Sequence, residues 1–318
     1  MSSSNEKKLI VLAIGGNSLI SDPAHQSVED QYATCVETCG HIARLIEKGH
    51  RMVITHGNGP QVGFILRRSE LASHELHMVP LDSCGADTQG AIGYHIQRAM
   101  HNCTLGWDKP PKVVTVVTQV LVDREDPAFK HPSKPIGTFM DEKTARQREE
   151  REKWHVVEDA GRGWRRVVAS PHPAKIVELE AIRSLIGADF VVVSVGGGGI
   201  PVMKNEQGRL VGADAVIDKD LASSLLAREI KATTLLISTA VEQAFLNFGN
   251  PEQRQIDTMT AAEARQFLAE GHFKPGSMKP KIEAMLAFVE AGGQEAILTD
   301  PKNLTRAAEG ETGTRIVP

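Results

Sequence analysis

The sequence predicts an α/β fold built on an open, mostly parallel sheet. Apolar runs at residues 9–14, 52–55 and 190–195 each stop at a turn rich in glycine or asparagine. A continuous apolar run of this kind is typical of a strand that is buried on both faces of a parallel sheet. Because ligands of open α/β sheets bind at the carboxyl ends of the strands, we expect the turns to converge on one site.

Segments between these strands carry apolar residues at helical spacing, which predicts the alternation of strands and helices that parallel sheets require. We expect helices over 28–48, from Pro60, and over 81–100, 174–186 and 221–230, with another from Ser277. Further strands are expected over 112–118 and 234–238. Two helices and two short strands are expected to complete the chain after residue 251.

Length and composition limit the possible functions. A chain of 318 residues suggests about two domains or one large α/β domain with an insertion. A net charge of −4 and 4% aromatic residues argue against binding to nucleic acid or to a membrane surface. The apolar run before Gly15 is too short for a signal peptide or a membrane-spanning segment. The four cysteines include no CxxC pair, which indicates reduced thiols. We therefore expect a cytoplasmic enzyme that acts on small molecules.

Four consecutive glycines at residues 196–199 mark the strongest candidate site. Glycines take positive φ readily, and their unobstructed N–H groups can point at an anion such as a phosphate. A tight connection would need only one glycine, so four favour phosphate binding over a purely structural role. The turn at 57–63 reads GxGxxxG, one residue longer than the dinucleotide fingerprint, and a Walker A sequence is absent.

Three lysines, Lys219, Lys279 and Lys281, stand at predicted helix starts, where a cation opposes the helix dipole. Lys219 follows Asp218, the expected N-cap of one helix, and Lys281 lies in the first turn of the helix from Ser277. An anionic ligand would explain both cations, so they are candidates for a single anion site. Asp218 and Asp220 flank Lys219 and are expected to favour its charged form.

Residues 123–166 differ from the rest of the chain, because they are charged, contain prolines and lack long apolar runs. Loops of more than about 12–15 residues rarely occur in compact domains without a role, so we predict an inserted lid subdomain over the strand ends. Lys134 lies between Ser133 and Pro135, where the stiff segment could present a cation at a fixed place. An ordinary surface lysine is the alternative.

Taken in order, the motifs of this chain resemble those of carbamate kinases, which belong to the amino acid kinase superfamily. The likeness covers nearly the whole chain. GGN alone is shared across the superfamily, whereas HGNGPQVG, KPIG and IDKDLA together are specific. The motifs are LIVLAIGGNSL, HGNGPQVG, GADTQGAIGY, HPSKPIGTF, EDAGRGWRRVV, VVSVGGGGIPV, DAVIDKDLASSLLA, GHFKPGSMKPK and GTRIV.

This resemblance implies a three-layer αβα sandwich with an open, mostly parallel sheet. It implies one amino acid kinase-like domain over 1–318, with a protruding lid subdomain at 123–166, and a homodimer. It also implies interconversion of ATP and carbamate with ADP and carbamoyl phosphate, using Mg²⁺ and running toward ATP synthesis in catabolism. The resemblance assigns no residues as metal ligands.

The resemblance also assigns roles to individual residues of this chain. The phosphate-binding group would be Gly15, Gly16 and Asn17. The carbamoyl pocket would comprise Gly57, Asn58, Gly59, Gly197 and Gly198. Lys134, Lys219 and Lys281 would surround the transferring phosphoryl group, with Asp218 and Asp220 positioning Lys219.

The sequence departs from the family at two positions, and other functions stay open. Lys279 stands where the family tends to have glycine, and Ala240 replaces the aspartate of TDV, so nucleotide preference is open. A nicotinamide-dependent oxidoreductase, a catalytically silent nucleotide sensor, and an acetylglutamate or glutamate kinase are the alternatives. The source of carbamoyl phosphate, from citrulline or from ureides or oxamate, leaves no mark in the sequence.

Overall fold

The computed structural model describes residues 7–16, 19–20, 24–158, 161 and 163–318. Asn17, one of the predicted phosphate-binding residues, lies outside these ranges. The helices are α1 Val28–Glu47, α2 Gly59–Leu71, α3 Leu81–Cys103, α4 Glu142–Glu152, α5 Leu179–Gly187, α6 Lys219–Glu229, α7 Ala261–Ala269, α8 Met278–Glu290 and α9 Leu304–Ala308.

The strands follow in the same chain order. They are β1 Leu9–Ile14, β2 Arg51–His56, β3 Lys112–Thr115, β4 Gln119–Val122, β5 Lys134–Met140, β6 His155–Glu158, β7 Trp164–Val168, β8 Pro173–Ile176, β9 Phe190–Val193, β10 Ile200–Lys204, β11 Leu210–Gly212, β12 Thr234–Ser238, β13 Ala244–Leu246, β14 Arg254–Ile256, β15 Thr258–Thr260, β16 Glu295–Thr299 and β17 Thr314–Val317.

The central sheet has eight strands in the order β15-β17-β16-β12-β1-β2-β9-β3. The six from β16 to β3 run parallel, whereas β17 is antiparallel to β16 and pairs in parallel with β15. In-register pairing of β1 with β2, from Leu9↔Arg51 to Ile14↔His56, brings the turns after both strands to one edge. The predicted open, mostly parallel sheet is confirmed.

Helices cover both faces of this sheet and make it the middle of three layers. Along β1, Val11 and Ala13 pack with α6 and α8 on one face, whereas Ile10, Leu12 and Ile14 pack with α1 and α3 on the other. Strand side chains point to alternate faces, so an unbroken apolar strand fills both cores. The predicted three-layer αβα sandwich follows from this double burial.

Smaller sheets lie beside the central one. Strands β11, β10, β4 and β8 form one of them, and β5, β7 and β6 form a three-stranded antiparallel sheet with α4 against it. This second unit rests on α2, where Gly63 lies next to Gly137 of β5; a Cβ on Gly63 would be 3.7 Å from the Gly137 Cα. It occupies the segment in which the sequence predicts a lid.

Several predicted elements differ from the structure. The helix expected from Ala174 is wrong in its first turn, because residues 173–176 form β8, in which Ile176 pairs with Val120. The strand expected over 112–118 ends at Thr115, and the chain then enters β4 in another sheet. After residue 251, strands β14 to β17 and helices α7 to α9 replace the two helices and two strands expected. Short edge strands lack the long apolar runs on which those expectations rested.

Candidate active site

The turns that follow β1, β2 and β9 lie together at the carboxyl edge of the sheet. The Gly57 N–H donates to the Ile14 carbonyl at 3.0 Å. A Cβ on Gly57 would lie 3.5 Å from the Gly16 nitrogen and 3.5 Å from Cδ of Lys219. Gly15 lies even closer to β12, since a Cβ on Gly15 would be 2.9 Å from the Ser238 carbonyl oxygen. Backbone amides and a lysine stem therefore meet without side chains between them.

The glycine tetrad is wedged between its neighbours. A side chain on Gly197, which has φ +67°, would collide with the Asn58 amide, and one on Gly198, with φ +92°, would collide with the Ile217 carbonyl. Val195, just before the tetrad, is held at φ +53°. That conformation is strained for a β-branched residue and costs about 1–3 kcal/mol. The surrounding contacts hold the loop in place against this strain.

A buried glutamine of α3 ties the tetrad to the neighbouring sheet. The Gln89 Nε2 group donates to the Thr118 and Gly196 carbonyls at 3.1 and 2.9 Å, and its Oε1 accepts from the Thr118 N–H at 2.7 Å. The Thr118 hydroxyl accepts in turn from the Val195 N–H at 3.1 Å. These bonds hold the start of the strained turn at Val195 and Gly196, so Gln89 helps to position the loop.

Asn58 begins α2 and meets α3 through its side chain. Its Nδ2 group donates to the Thr88 hydroxyl at 2.8 Å, and that hydroxyl donates to the Gly85 carbonyl at 2.8 Å. Thr88 is 1% exposed and Asn58 is 7% exposed. The Asn58 amide is therefore held from the side of α3.

His56 ends β2 beneath the tetrad. Its Nδ1 atom lies 3.0 Å from the Gly57 carbonyl, which can only accept, so Nδ1 carries the proton and Nε2 faces Gly196. Burial lowers the pKa of His56 to about 4, with a smaller effect from the nearby Lys219 cation. The imidazole is therefore neutral at physiological pH.

Asp220 joins two of the predicted catalytic lysines. It is 2% exposed and accepts from the Lys219 and Lys281 ammonium groups, the second at 2.8 Å. Asp218 caps α6 by accepting from the Asp220 and Leu221 N–H groups, and its other oxygen accepts from Lys134 at 2.9 Å. Three lysines, one each from β5, α6 and α8, thus surround two carboxylates. The hydrogen bonds between them are charge-assisted, which makes them stronger than bonds between neutral groups.

Opposing effects act on the pKa of Lys219. Burial lowers this pKa and the Lys281 cation adds to the effect, whereas Asp220 and Asp218 raise it, so the net shift is downward. The flanking carboxylates therefore favour the charged form of Lys219, as predicted, and burial opposes them. Burial by itself would raise the pKa of Asp220, but the two lysines lower it to about 2. Asp220 is fully ionised.

Lys279 belongs to the surface instead of this cluster. Its side chain is 44% exposed and its ammonium lies 3.8 Å from Glu283, one helical turn along α8. Ser277 stands at the predicted N-cap position of α8, but its side chain makes no capping hydrogen bond. The two lysines of this first turn therefore have different surroundings.

The structure brings most of the predicted site residues together. Those that adjoin one another are Gly16, Gly57, Asn58, Gly197, Gly198, Lys134, Asp218, Lys219, Asp220 and Lys281, with Gly15 beside Ser238 and Gly59 following Asn58 at the start of α2. His56, Thr88 and Gln89 escaped sequence reasoning. The available signal was a polar residue at a position that the surrounding pattern would bury, on α3 for Thr88 and Gln89 and at the end of β2 for His56.

A cavity of about 280 Å³ opens at the start of α8, a turn before Lys281. Its walls are mostly apolar, with one lysine whose ammonium lies 5.6 Å from the Phe248 ring centre. The lining residues are Val241, Phe245, Phe248, Asn250, Gly271, His272, Phe273, Lys274, Ser277 and Met278. Small-molecule sites in proteins are typically concave and mostly apolar in this way.

Within the described ranges, no group of three or more histidine, cysteine, aspartate or glutamate side chains is placed to hold a metal ion. The same part of the chain contains no helix that is long and apolar enough to cross a membrane. The Asp218 and Asp220 oxygens already accept hydrogen bonds from lysines or backbone amides.

Parallel strands that end in bare amides, next to largely buried lysines, form an arrangement that suits a kinase transferring a phosphoryl group. Comparison with known families agrees, since the amino acid kinase family matches residues 8–300. The chain is 51% identical to the carbamate kinase-like protein YahI of Escherichia coli over 98% of its length and 99% of that protein's. It is 45% identical to the carbamate kinase of Thermococcus kodakarensis, with the same coverage.

Solved structures give the same result. Carbamate kinase from Giardia lamblia bound to AMP-PNP superimposes with a TM-score of 0.92 at 38% identity, over 98% of this chain and 99% of that one. The chain therefore belongs to the amino acid kinase family and, within it, to the carbamate kinases.

Proposed function

We propose that this protein transfers a phosphoryl group between ATP and carbamate, giving ADP and carbamoyl phosphate. The observation that carries the proposal is the buried Lys219–Asp220–Lys281 bridge beside the glycine turns. Relatives named carbamate kinase at 42–46% identity over nearly their whole length support it. In catabolism the reaction would run toward ATP.

The chemistry asks little of the protein beyond alignment and charge. The carbamate oxygen is already ionised, so attack on phosphorus needs no general base. Lys219 and Lys281 would neutralise the charge on the transferring group, and Asp220 would hold both lysines in place. Asp218 positions α6 and receives Lys134, which the lid at 123–166 would deliver over the bound substrates.

The glycine turns would supply the remaining contacts. Gly15, Gly16 and Asn17 are assigned to the nucleotide phosphates, because the first two lie at the carboxyl end of β1. The carbamoyl group would be held by Gly57, Asn58 and Gly59, with Gly197 and Gly198 across from them. Support comes from the close approach of Gly57 to Gly16 and to Lys219, with no side chain between them.

The adenine base would occupy the cavity of about 280 Å³ at the start of α8. From there the phosphates could reach Lys281, one turn further along α8, and the turn after β1. Ala240 carries no carboxylate toward this region, so base or ribose selection would rely on Asn250 and on backbone groups. Comparison of ATP, GTP and ITP formation tests this assignment.

Mg²⁺ would arrive with the nucleotide. Mg²⁺ is usually held by one or two carboxylates together with substrate phosphates and water. Each oxygen of Asp218 and Asp220 already accepts a hydrogen bond, so phosphate oxygens would provide most of the ligands. The metal would neutralise phosphate charge. We further propose a cytoplasmic homodimer, each subunit being one kinase domain with the inserted lid.

A coupled assay for ATP made from ADP and carbamoyl phosphate with Mg²⁺ tests the proposal. Turnover is expected, with acetyl phosphate a much poorer donor. Equal turnover of both donors, or of neither, would contradict it. Phosphorylation of glutamate or acetylglutamate would favour one of the other amino acid kinases. An NAD-dependent change in absorbance would favour the oxidoreductase. Nucleotide binding without turnover would favour the catalytically silent sensor.

A further inference from the structure

We propose that Thr88 makes the site selective for a carbamoyl group over an acetyl group, by fixing which end of the Asn58 amide faces the cleft. Thr88 would act as a positioning residue, and Asn58 Oδ1 as the hydrogen-bond acceptor that recognises the substrate amine. This inference rests on the proposed function and adds to it the atom that reads the substrate.

The orientation of the amide follows from counting protons. A threonine hydroxyl has a single proton, and that of Thr88 goes to the Gly85 carbonyl at 2.8 Å, a common bond for a threonine within a helix. Only the lone pairs of Oγ1 are left for Asn58. The atom 2.8 Å away must therefore be the amide nitrogen, which donates to the hydroxyl. Oδ1 is turned away from Thr88.

Within the described part of the chain, the Oδ1 atom of Asn58 has no hydrogen-bond partner. Among the residues that the structure describes, none donates a hydrogen bond to it, and it is not one of the unpaired polar atoms sealed from solvent. Both ends of the amide lie beside Gly197, since a Cβ on that residue would be 2.1 Å from Nδ2 and 2.6 Å from Oδ1. Asn58 thus presents a free acceptor beside the glycine tetrad.

The loop amides and the lysines of this part of the site are donors, and the Asp218 and Asp220 oxygens already accept hydrogen bonds from the protein, so the free Oδ1 differs from both groups. Donors suit the phosphate and carbonyl oxygens, which carbamoyl and acetyl phosphate have in common. Carbamoyl phosphate and acetyl phosphate differ in one group: the first has NH₂ where the second has CH₃. A fixed Oδ1 accepts from NH₂ and loses its hydration without compensation against CH₃. If the amide could turn over, its Nδ2 would oppose the substrate amine.

Thr88→Val tests the inference, since it keeps the shape of the side chain and removes the hydroxyl. We expect the ratio of kcat/KM for carbamoyl phosphate to that for acetyl phosphate to fall about tenfold, the size of one hydrogen bond. Thr88→Ser should restore the ratio, because it restores the hydroxyl. Thr104→Val is the matched control: Thr104 is buried at the end of α3 and donates to the Met100 carbonyl at 2.8 Å.

The outcomes separate this inference from the proposed function. If the wild-type protein does not use carbamoyl phosphate, the proposed function itself fails. If the wild type is active but Thr88→Val keeps the wild-type ratio, or Thr104→Val lowers it equally, only the role of Thr88 is overturned. Thermal melts establish that each variant is folded, and Thr88→Ala replaces Thr88→Val if the valine is not accommodated, with the same expected ratio.

Discussion

Removing both lysines that pair with Asp220 should reverse the effect of this carboxylate on stability. In the wild type, Lys219 and Lys281 lower its pKa from 3.8 to about 2 although burial opposes them. That difference corresponds to roughly 2 kcal/mol of stability at neutral pH. A lowered pKa gives stability that is present above the unfolded value of 3.8 and is lost as pH falls through about 2.

In Lys219→Met/Lys281→Met only burial remains, and burial raises the pKa of a carboxyl group. The folded state then prefers the protonated acid, so the free energy of unfolding should fall as pH rises above about 4. A buried charge without a partner typically costs about 3–5 kcal/mol. Each single lysine variant keeps one partner for Asp220. The free energy of unfolding should therefore fall in a single variant by much less than half of the fall in the double variant.

Urea unfolding between pH 4 and 8 measures this effect. The double variant is compared with the triple variant that also carries Asp220→Asn, which cannot ionise. Their difference isolates Asp220, because every other titrating group is common to both proteins. We expect the triple variant to gain stability over the double variant as pH rises. Parallel curves for the two proteins would refute the reasoning.

Three further predictions concern activity and acid stability. Lys219→Ala and Lys281→Ala should each lower kcat by roughly 10²–10³, whereas Lys279→Gly should change it less than about tenfold, as steady-state assays would show; a large loss confined to Lys279→Gly would contradict the site. Lys134→Ala should change kcat or KM, and unchanged values of both would remove Lys134 from the reaction. The folded pKa of His56, about 4 against 6.5, should cost roughly 3 kcal/mol of stability as pH falls from 6.5 to 4, and His56→Gln should flatten this limb in urea titrations.

The sequence was sufficient for those parts of the fold that depend on neighbours along the chain. Apolar runs such as residues 9–14 have to be buried on both faces, so they place a parallel sheet between two helical layers. Asp218 before Lys219 predicts the start of α6, and the structure has it there. Edge strands such as β8 escaped prediction, because their stability comes from a partner strand that is distant in sequence.

The candidate site was predictable to the extent that residue type limits its chemistry. Bare glycine turns and lysines at helix starts indicate an anion site before any contact is known. The same residues do not reveal their partners: Lys134 and Asp218 are 84 positions apart, and Lys281 and Asp220 are 61.

The sequence by itself therefore determined the layered sheet, the glycine turns and the identity of the cations. Only the tertiary structure decided the direction in which the pKa of Lys219 shifts, because burial lowers this pKa by more than the carboxylates that flank it in sequence raise it. It also decided the hydrogen bonds of Thr88 and Gln89, which form only because α3 passes beside the glycine tetrad. The physical reason is the same for all three residues: desolvation and hydrogen bonding depend on distances in space, which a sequence of local preferences does not contain.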